Sequence, residues 1–86
     1  DRKNLKKAEK MSRKSLEAEP DNASFLDTYG YILYLRKDYE NAKVYLKKAI
    51  VHGGNNNKDV LYHYALVLEA LGEKELADFY MNKSQK

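Results

Sequence analysis

Apolar side chains recur along this chain at steps of three and four residues. Leu26, Tyr29, Gly30 and Leu33 form one such series, and Leu61, Tyr64, Ala65, Leu68 and Leu71 form another. That spacing stacks side chains on one face of an α-helix, so it predicts helices, and nothing in the chain reads as a strand. The punctuation between the series is equally legible. Pro20 followed by Asp21-Asn22 reads as a helix stop and a new start, with Asp21 or Asn22 as the cap. Arg36-Lys37-Asp38 reads as a short turn, with Asp38 capping a helix that begins near Tyr39. Gly53-Gly54-Asn55-Asn56-Asn57 is the clearest loop, with Gly53 able to supply a left-handed C-terminal cap. Gly72 marks a further tight turn, equivalent in place to Lys37. The expected fold class is therefore all-α, with five helices near 2–18, 23–36, 39–52, 58–71 and 74–85. Each is short enough to be marginal alone, so packing must hold them.

The two apolar series are copies of each other. Laid at an offset of 35 residues, Leu26 falls on Leu61, Tyr29 on Tyr64, Gly30 on Ala65, Leu33 on Leu68 and Ala42 on Ala77. At an offset of 34, Leu5, Ala8 and Leu16 fall on Tyr39, Ala42 and Ile50. The small residue recurs at one place. Glycine inside a helix costs roughly 0.5–1 kcal/mol against alanine, so its place here needs a reason. Gly30 and Ala42 on facing surfaces, with Ala49 further along, would let two helix axes approach to the lower end of the 8–10 Å range. Tyr29, Leu33, Tyr39 and Leu46 would then fill the flanks.

A period near 34 built from helix–turn–helix units resembles the tetratricopeptide repeat, whose signature runs W-x2-L-G-x2-Y, then A-x3-F, then proline. The chain offers Leu26-x2-Tyr29-Gly30-x2-Leu33, Ala42-x3-Leu46 and Gly54, then Leu61-x2-Tyr64-Ala65-x2-Leu68 and Ala77-x3-Met81. Ahead of these stand Ala8-x3-Ser12 and Pro20. The departures are the missing tryptophan, Gly54 in place of proline, and Ser12 and Ser15 where larger or apolar residues are usual. The serines bear on the stability of the first helix. The resemblance implies antiparallel helix–turn–helix repeats stacked as an α-solenoid, a right-handed superhelix. It divides the chain, as one fragment over 1–86, into the second half of a repeat (1–20) and two full repeats (21–55 and 56–86). The phrasing of the second half also resembles C-terminal repeats of bacterial, often envelope-associated, proteins of this family, which leans the expected location toward a bacterial cell envelope.

The family's first helices line a concave face that binds a peptide or partner protein. Carried onto this chain, the resemblance puts Asp27, Tyr31 and Tyr34 on that face from one helix, and Asp59, Tyr62, His63, Leu66 and Glu69 from the next. Tyrosine gives large, rigid, amphipathic contact area and is enriched at binding hot spots. Three acids and three tyrosines fit a partner with basic or apolar groups. The alternative for Tyr31 and Tyr34 is packing between repeats. One variant of the family holds a peptide's terminal carboxylate with lysine, arginine and asparagine. Ser24, Asp27, Tyr31, Asp59 and Tyr62 stand at those places, so that clamp is absent. The expected job is a non-catalytic scaffold for a protein or peptide partner.

Composition narrows the chemistry. The 86 residues allow one small unit. With no cysteine, disulfides and thiolate metal sites are excluded. His52 and His63 lack a second ligand at helical spacing, no serine motif or phosphate loop occurs, and no carboxylate pair sits in an apolar run. No enzyme, cofactor, metal or small-molecule substrate is expected. No apolar run is long enough to span a membrane and no signal peptide is visible, although a chain opening on Asp-Arg-Lys without methionine reads as a fragment or processed form. The net charge of +3 lies entirely in residues 1–19, where Lys3, Lys6, Lys7, Lys10 and Lys14 recur along the first helix. Nucleic-acid binding there is the lesser alternative, because Glu9, Glu17 and Glu19 interrupt the stripe and no aromatic interleaves it. Self-association is a further one, through Leu5, Met11 and Leu16 on a first helix that lacks a preceding neighbour.

Overall fold

The computed structural model describes residues 2–86. They form α1 (Arg2–Ala18), α2 (Ala23–Leu35), α3 (Tyr39–Val51), α4 (Lys58–Ala70) and α5 (Lys74–Ser84), with one 3₁₀ turn, Gly54–Asn56, before α4. No strand occurs among the described residues. Each helix packs on the next, most extensively α2 on α3 and α4 on α5. The result is an all-α array of helical hairpins. In addition α2 touches α4, whereas α1, α3 and α5 make no comparable contact with one another. The array thus has an inner row, α2 and α4, and an outer row, α1, α3 and α5, that splays apart.

The turns explain the helix lengths. α2 ends with Lys37 at φ 66°. The Asp38 N–H donates to Leu33 O at 2.9 Å and the Lys37 N–H to Tyr34 O at 2.9 Å. α4 ends on the same two bonds, from Glu73 to Leu68 at 2.9 Å and from Gly72 to Glu69 at 3.0 Å, with Gly72 at φ 83°. This paired closure satisfies the last carbonyls of a helix through one left-handed residue. It makes the turns at Lys37 and Gly72 copies in geometry although the residues differ.

The turn also corrects one expectation. Asp38 stands at the start of α3, but its side chain makes no bond to the helix backbone and instead accepts from Asn41 Nδ2 at 2.9 Å. Its backbone is already fixed as the last member of the α2 closure, away from the extended geometry that aims a cap. The caps that do form are asparagines. Asn22 accepts from the Phe25 N–H at 3.0 Å, and Asn57 accepts from the Asp59 N–H at 2.9 Å.

The core runs along the hairpin seams. Ala42, Leu46, Ala49, Ala65, Val67 and Leu68 have no accessible surface. Gly30 lies where α2 crosses α3. A methyl placed on it would stand 2.7 Å from Leu46 Cγ and 3.3 Å from the Leu46 backbone nitrogen. Gly54, in the place of the family's proline, is a second close approach, since a methyl there would stand 2.6 Å from the Ala49 carbonyl oxygen. Gly53 beside it takes φ 112°, as a left-handed cap requires. Tyr29 and Tyr64 are buried in equivalent places, each edge-on to a ring of its hairpin partner, Tyr45 at 4.7 Å and Tyr80 at 4.9 Å. Burial raises the pKa of the Tyr64 phenol, so it remains neutral at ordinary pH.

α1 docks on α2 by mixed means. Glu9 is ion-paired with Arg36, and Arg13 donates to Tyr29 Oη at 3.1 Å. Leu16, expected on an exposed face, is only 8% exposed and belongs to the core, because α2 covers that side of α1. Met11, 64% exposed, does face solvent. Ser12 replaces the apolar residue of the other hairpins. It is buried and its hydroxyl has no hydrogen-bond partner.

Two consequences are measurable by thermal unfolding. Gly30→Leu forces bulk into the Leu46 contact and should destabilise by about 1–3 kcal/mol; an unchanged Tm would show that the crossing is misplaced. Ser12→Ala removes a buried, unsatisfied hydroxyl and should stabilise by about 1 kcal/mol; a lower Tm would mean that the hydroxyl is bonded in solution.

Candidate protein-interaction face

The residues assigned to the concave face by sequence lie on the inner row. Asp27, Tyr31 and Tyr34 follow one another at four and three residues along α2. Along α4, Asp59 is followed three and four residues on by the neighbours Tyr62 and His63, then by Leu66 and Glu69 at steps of three from His63. These spacings keep each set on one side of its helix. What joins the sets is a contact between helices 36 residues apart. His63 Nδ1 lies 2.8 Å from Asp27 Oδ1. An ionised carboxylate can only accept, so the imidazole N–H is the donor. Both side chains are largely covered, at 20% and 15% exposure.

Tyr31 lies flat on the His63 ring, with centroids 4.1 Å apart. From there the rings continue along the face. Tyr34 stacks beside Tyr31 at 5.9 Å, and Tyr39 of α3 follows at 5.6 Å. On the other side Tyr62 lies 6.1 Å from His63. Five aromatic rings therefore form one band across two hairpins. Burial, and then the neighbouring Tyr39, Tyr31 and Glu69, raise the pKa of the Tyr34 phenol, which keeps it a neutral donor at ordinary pH.

The structure divides the eight residues by job. Asp27, His63 and Tyr31 are spent on one another and lock α4 against α2. Tyr34 and Leu66 are half-buried along the band. Tyr62, Asp59 and Glu69 are exposed, and among the described residues no cation pairs with either carboxylate. Tyr39 joins the band although sequence placed it among the flanking core residues. The signal for it was its position at the first turn of α3, which brings it beside the last turn of α2. The Asp27–His63 pair left no motif in the sequence, because it depends on how far one hairpin is shifted along the next. The second histidine, His52, lies 3.5 Å from Asp21 at the surface. Among the described residues no group of three or more potential ligands is placed to hold a metal ion, and no helix is long and apolar enough to cross a membrane.

Two comparisons bear on this architecture. Residues 1–83 match the family described as anaphase-promoting complex, cyclosome, subunit 3. Over 70 residues the chain is 36% identical to the chloroplastic PsbD mRNA maturation factor Nac2 of Chlamydomonas reinhardtii, a match that covers 81% of this chain and 5% of that protein. That relative carries tetratricopeptide repeats. It gives no support to the bacterial origin suggested by the sequence. The family is one of tetratricopeptide-like repeats that generally serve as protein–protein scaffolds. With the match running over almost its full length, and with the hairpin seams and turn closures repeating as they do, the chain belongs to the subunit 3 family of the anaphase-promoting complex, a tetratricopeptide-like repeat family.

Proposed function

We propose that the inner row, α2 and α4, is a docking face for a protein or peptide segment that presents basic and apolar groups. The observation that carries this reading is the aromatic band flanked by two carboxylates, Asp59 and Glu69, with which no cation pairs among the described residues. Tyr62 is 45% exposed beside His63, and it offers a ring face and a hydroxyl together. Asp59 and Glu69 supply the charge that a lysine or arginine of the partner would meet. Asp27 and His63 hold the two helices at the spacing that keeps the band continuous, so they position the face and do not contact the partner. The proposed repeat limits, 21–55 and 56–86, place one strip of the face in each repeat.

The scaffold reading needs no catalytic group, and the family is typically non-catalytic. The RNA-maturation role in the name of the Chlamydomonas protein belongs to a chain of which only 5% is matched, and only the repeat architecture is taken from it. Self-association through α1 loses much of its basis with Leu16 in the core, leaving Met11 and the half-buried Leu5 on that side.

The test is a random-peptide selection on the folded 86-residue chain, followed by titration of the recovered peptides. Peptides rich in basic and aromatic or aliphatic residues are expected. Tyr62→Ala and Glu69→Gln, both at exposed positions, should each weaken binding by about tenfold, as truncation at a hot spot does. Affinities unchanged in both variants would remove this face from the function and leave the fold as it stands.

A further inference from the structure

The outer row carries a surface of opposite sign. α1, α3 and α5 are related by the 34- and 35-residue offsets, so residues in register lie on one side of the array. One register line holds Arg13, Lys47 and Asn82, and the next holds Lys14, Lys48 and Lys83. Among the described residues no acid pairs with Lys14, Lys47, Lys48 or Lys83. Lys83 donates to the neutral amide of Asn55 at 2.7 Å, which leaves its charge uncompensated. Lys48 sits over the Tyr45 ring at 5.5 Å. Two exposed acids lie one turn from these lines, Glu17 beyond Lys14 and Asp78 before Asn82, so the lysines outnumber the acids on the face. Glu9, which seemed from sequence to break the basic stripe of α1, is turned to Arg36 and removed from it.

The helix dipole accounts for part of this arrangement. Lys48 and Lys83 lie in the last turns of α3 and α5, where cations are favoured. It does not account for Lys14 or Lys47, nor for the apolar residues that share the face. Val51, one turn past Lys48, is 71% exposed, and Phe79, one turn before Lys83, is 57% exposed. Val44, one turn before Lys48, is 49% exposed. These side chains are uncovered although α2 and α4 pack against α3, so the neighbouring hairpins do not need them.

Unpaired lysines alternating with uncovered apolar side chains on a splayed outer surface have the chemistry of an interfacial face. The ammonium groups meet anionic headgroups while the apolar groups enter the boundary with the acyl chains. A nucleic-acid strand fits less well. It is held in a groove with rings on which bases stack. Here the cleft beside Arg13 and Lys48 holds Tyr29 and Tyr45, which are packed edge to face on each other, Tyr80 is partly buried, and Phe79 is the freely exposed ring. We propose that the outer row docks on an anionic lipid surface, through Lys14, Lys47, Lys48 and Lys83 with Val51 and Phe79, and leaves the inner row free. The proposal does not depend on the partner assigned to the inner row.

Co-sedimentation of the 86-residue chain with vesicles tests it. One set is phosphatidylcholine alone and the other is phosphatidylcholine and phosphatidylglycerol in equal parts. The chain should sediment with the anionic set, stay in solution with the neutral set, and be released at high salt as screening shortens. The double variant Lys47→Glu/Lys48→Glu should lower partitioning by at least about tenfold, and Phe79→Ser should lower it without changing its salt dependence. Circular dichroism confirms that each variant is folded, since all three positions are on the surface. Failure to bind the anionic vesicles, or undiminished binding by the folded double variant, overturns the proposal. Salt-sensitive retention on single-stranded RNA without vesicle binding also overturns it and assigns the outer row to a nucleic acid.

Discussion

The close approach of α3 to α2 at Gly30 sets the rest of the structure. With no side chain at that position, Leu46 drives its branch point against the α2 backbone, and the two helices interlock at a depth that a methyl would prevent. Everything along the seam follows from that depth. Ala42 and Ala49 are small because they lie where the axes are near, and both are wholly buried. Tyr29 and Tyr45 meet edge to face because the seam has closed far enough to bring ring against ring. In the α4–α5 hairpin the same place is Ala65, equally buried, and the same ring contact recurs between Tyr64 and Tyr80. The constraint is thus the small residue and not glycine itself, and the first hairpin takes the tighter form of it.

Contacts within a hairpin and contacts between hairpins differ in kind. Seams inside the hairpins are apolar and tightly interlocked. Between hairpins, polar contacts add to the buried Val60 and Val67: Asp27 with His63 on the inner side, and Lys43 with Glu73 at 2.7 Å on the other. The Glu73 carboxylate raises the pKa of Lys43, which keeps the ammonium charged over the accessible range. In a stacked array each unit touches only its neighbours, and stability is a sum of unit and interface terms. Directional polar contacts at such an interface specify how far one hairpin slides along the next. The continuity of the aromatic band across α2 and α4 rests on that register.

The sequence carried the fold at close range and lost it at long range. Helix limits read from caps and glycines agree with the structure to within a residue at each end, because the closure of a helix is chemistry among neighbours. Gly30, Ala42 and Ala65 were legible because a repeat shows the same constraint twice. Asp38 was misread as a cap since one residue cannot serve both the end of α2 and the start of α3 with free choice of backbone. Leu16 was placed outside for want of the knowledge that α2 covers it. Of the candidate face, the sequence identified the residues and their two helices. It gave no sign that Asp27 and His63 would meet, since a pair 36 residues apart has no local spacing.

That last pair shows why charge read from sequence is a poor guide to function until neighbours are known. Asp27, Asp59 and Glu69 carry the same charge and were assigned to the same face on the same grounds. Asp27 meets a histidine from the next hairpin and becomes part of the scaffold, while the other two remain open to solvent. On α1 the order reverses: Glu9 seemed to interrupt a basic stripe, and its pairing with Arg36 removes that one interruption, leaving Glu17 and Glu19 at the far end. In a repeat array, each hairpin selects which charges of its neighbour stay available. The surface offered to a partner is what the stacking leaves over, and one chain can therefore present an aromatic, acidic face on its inner row and a basic, apolar one on its outer row.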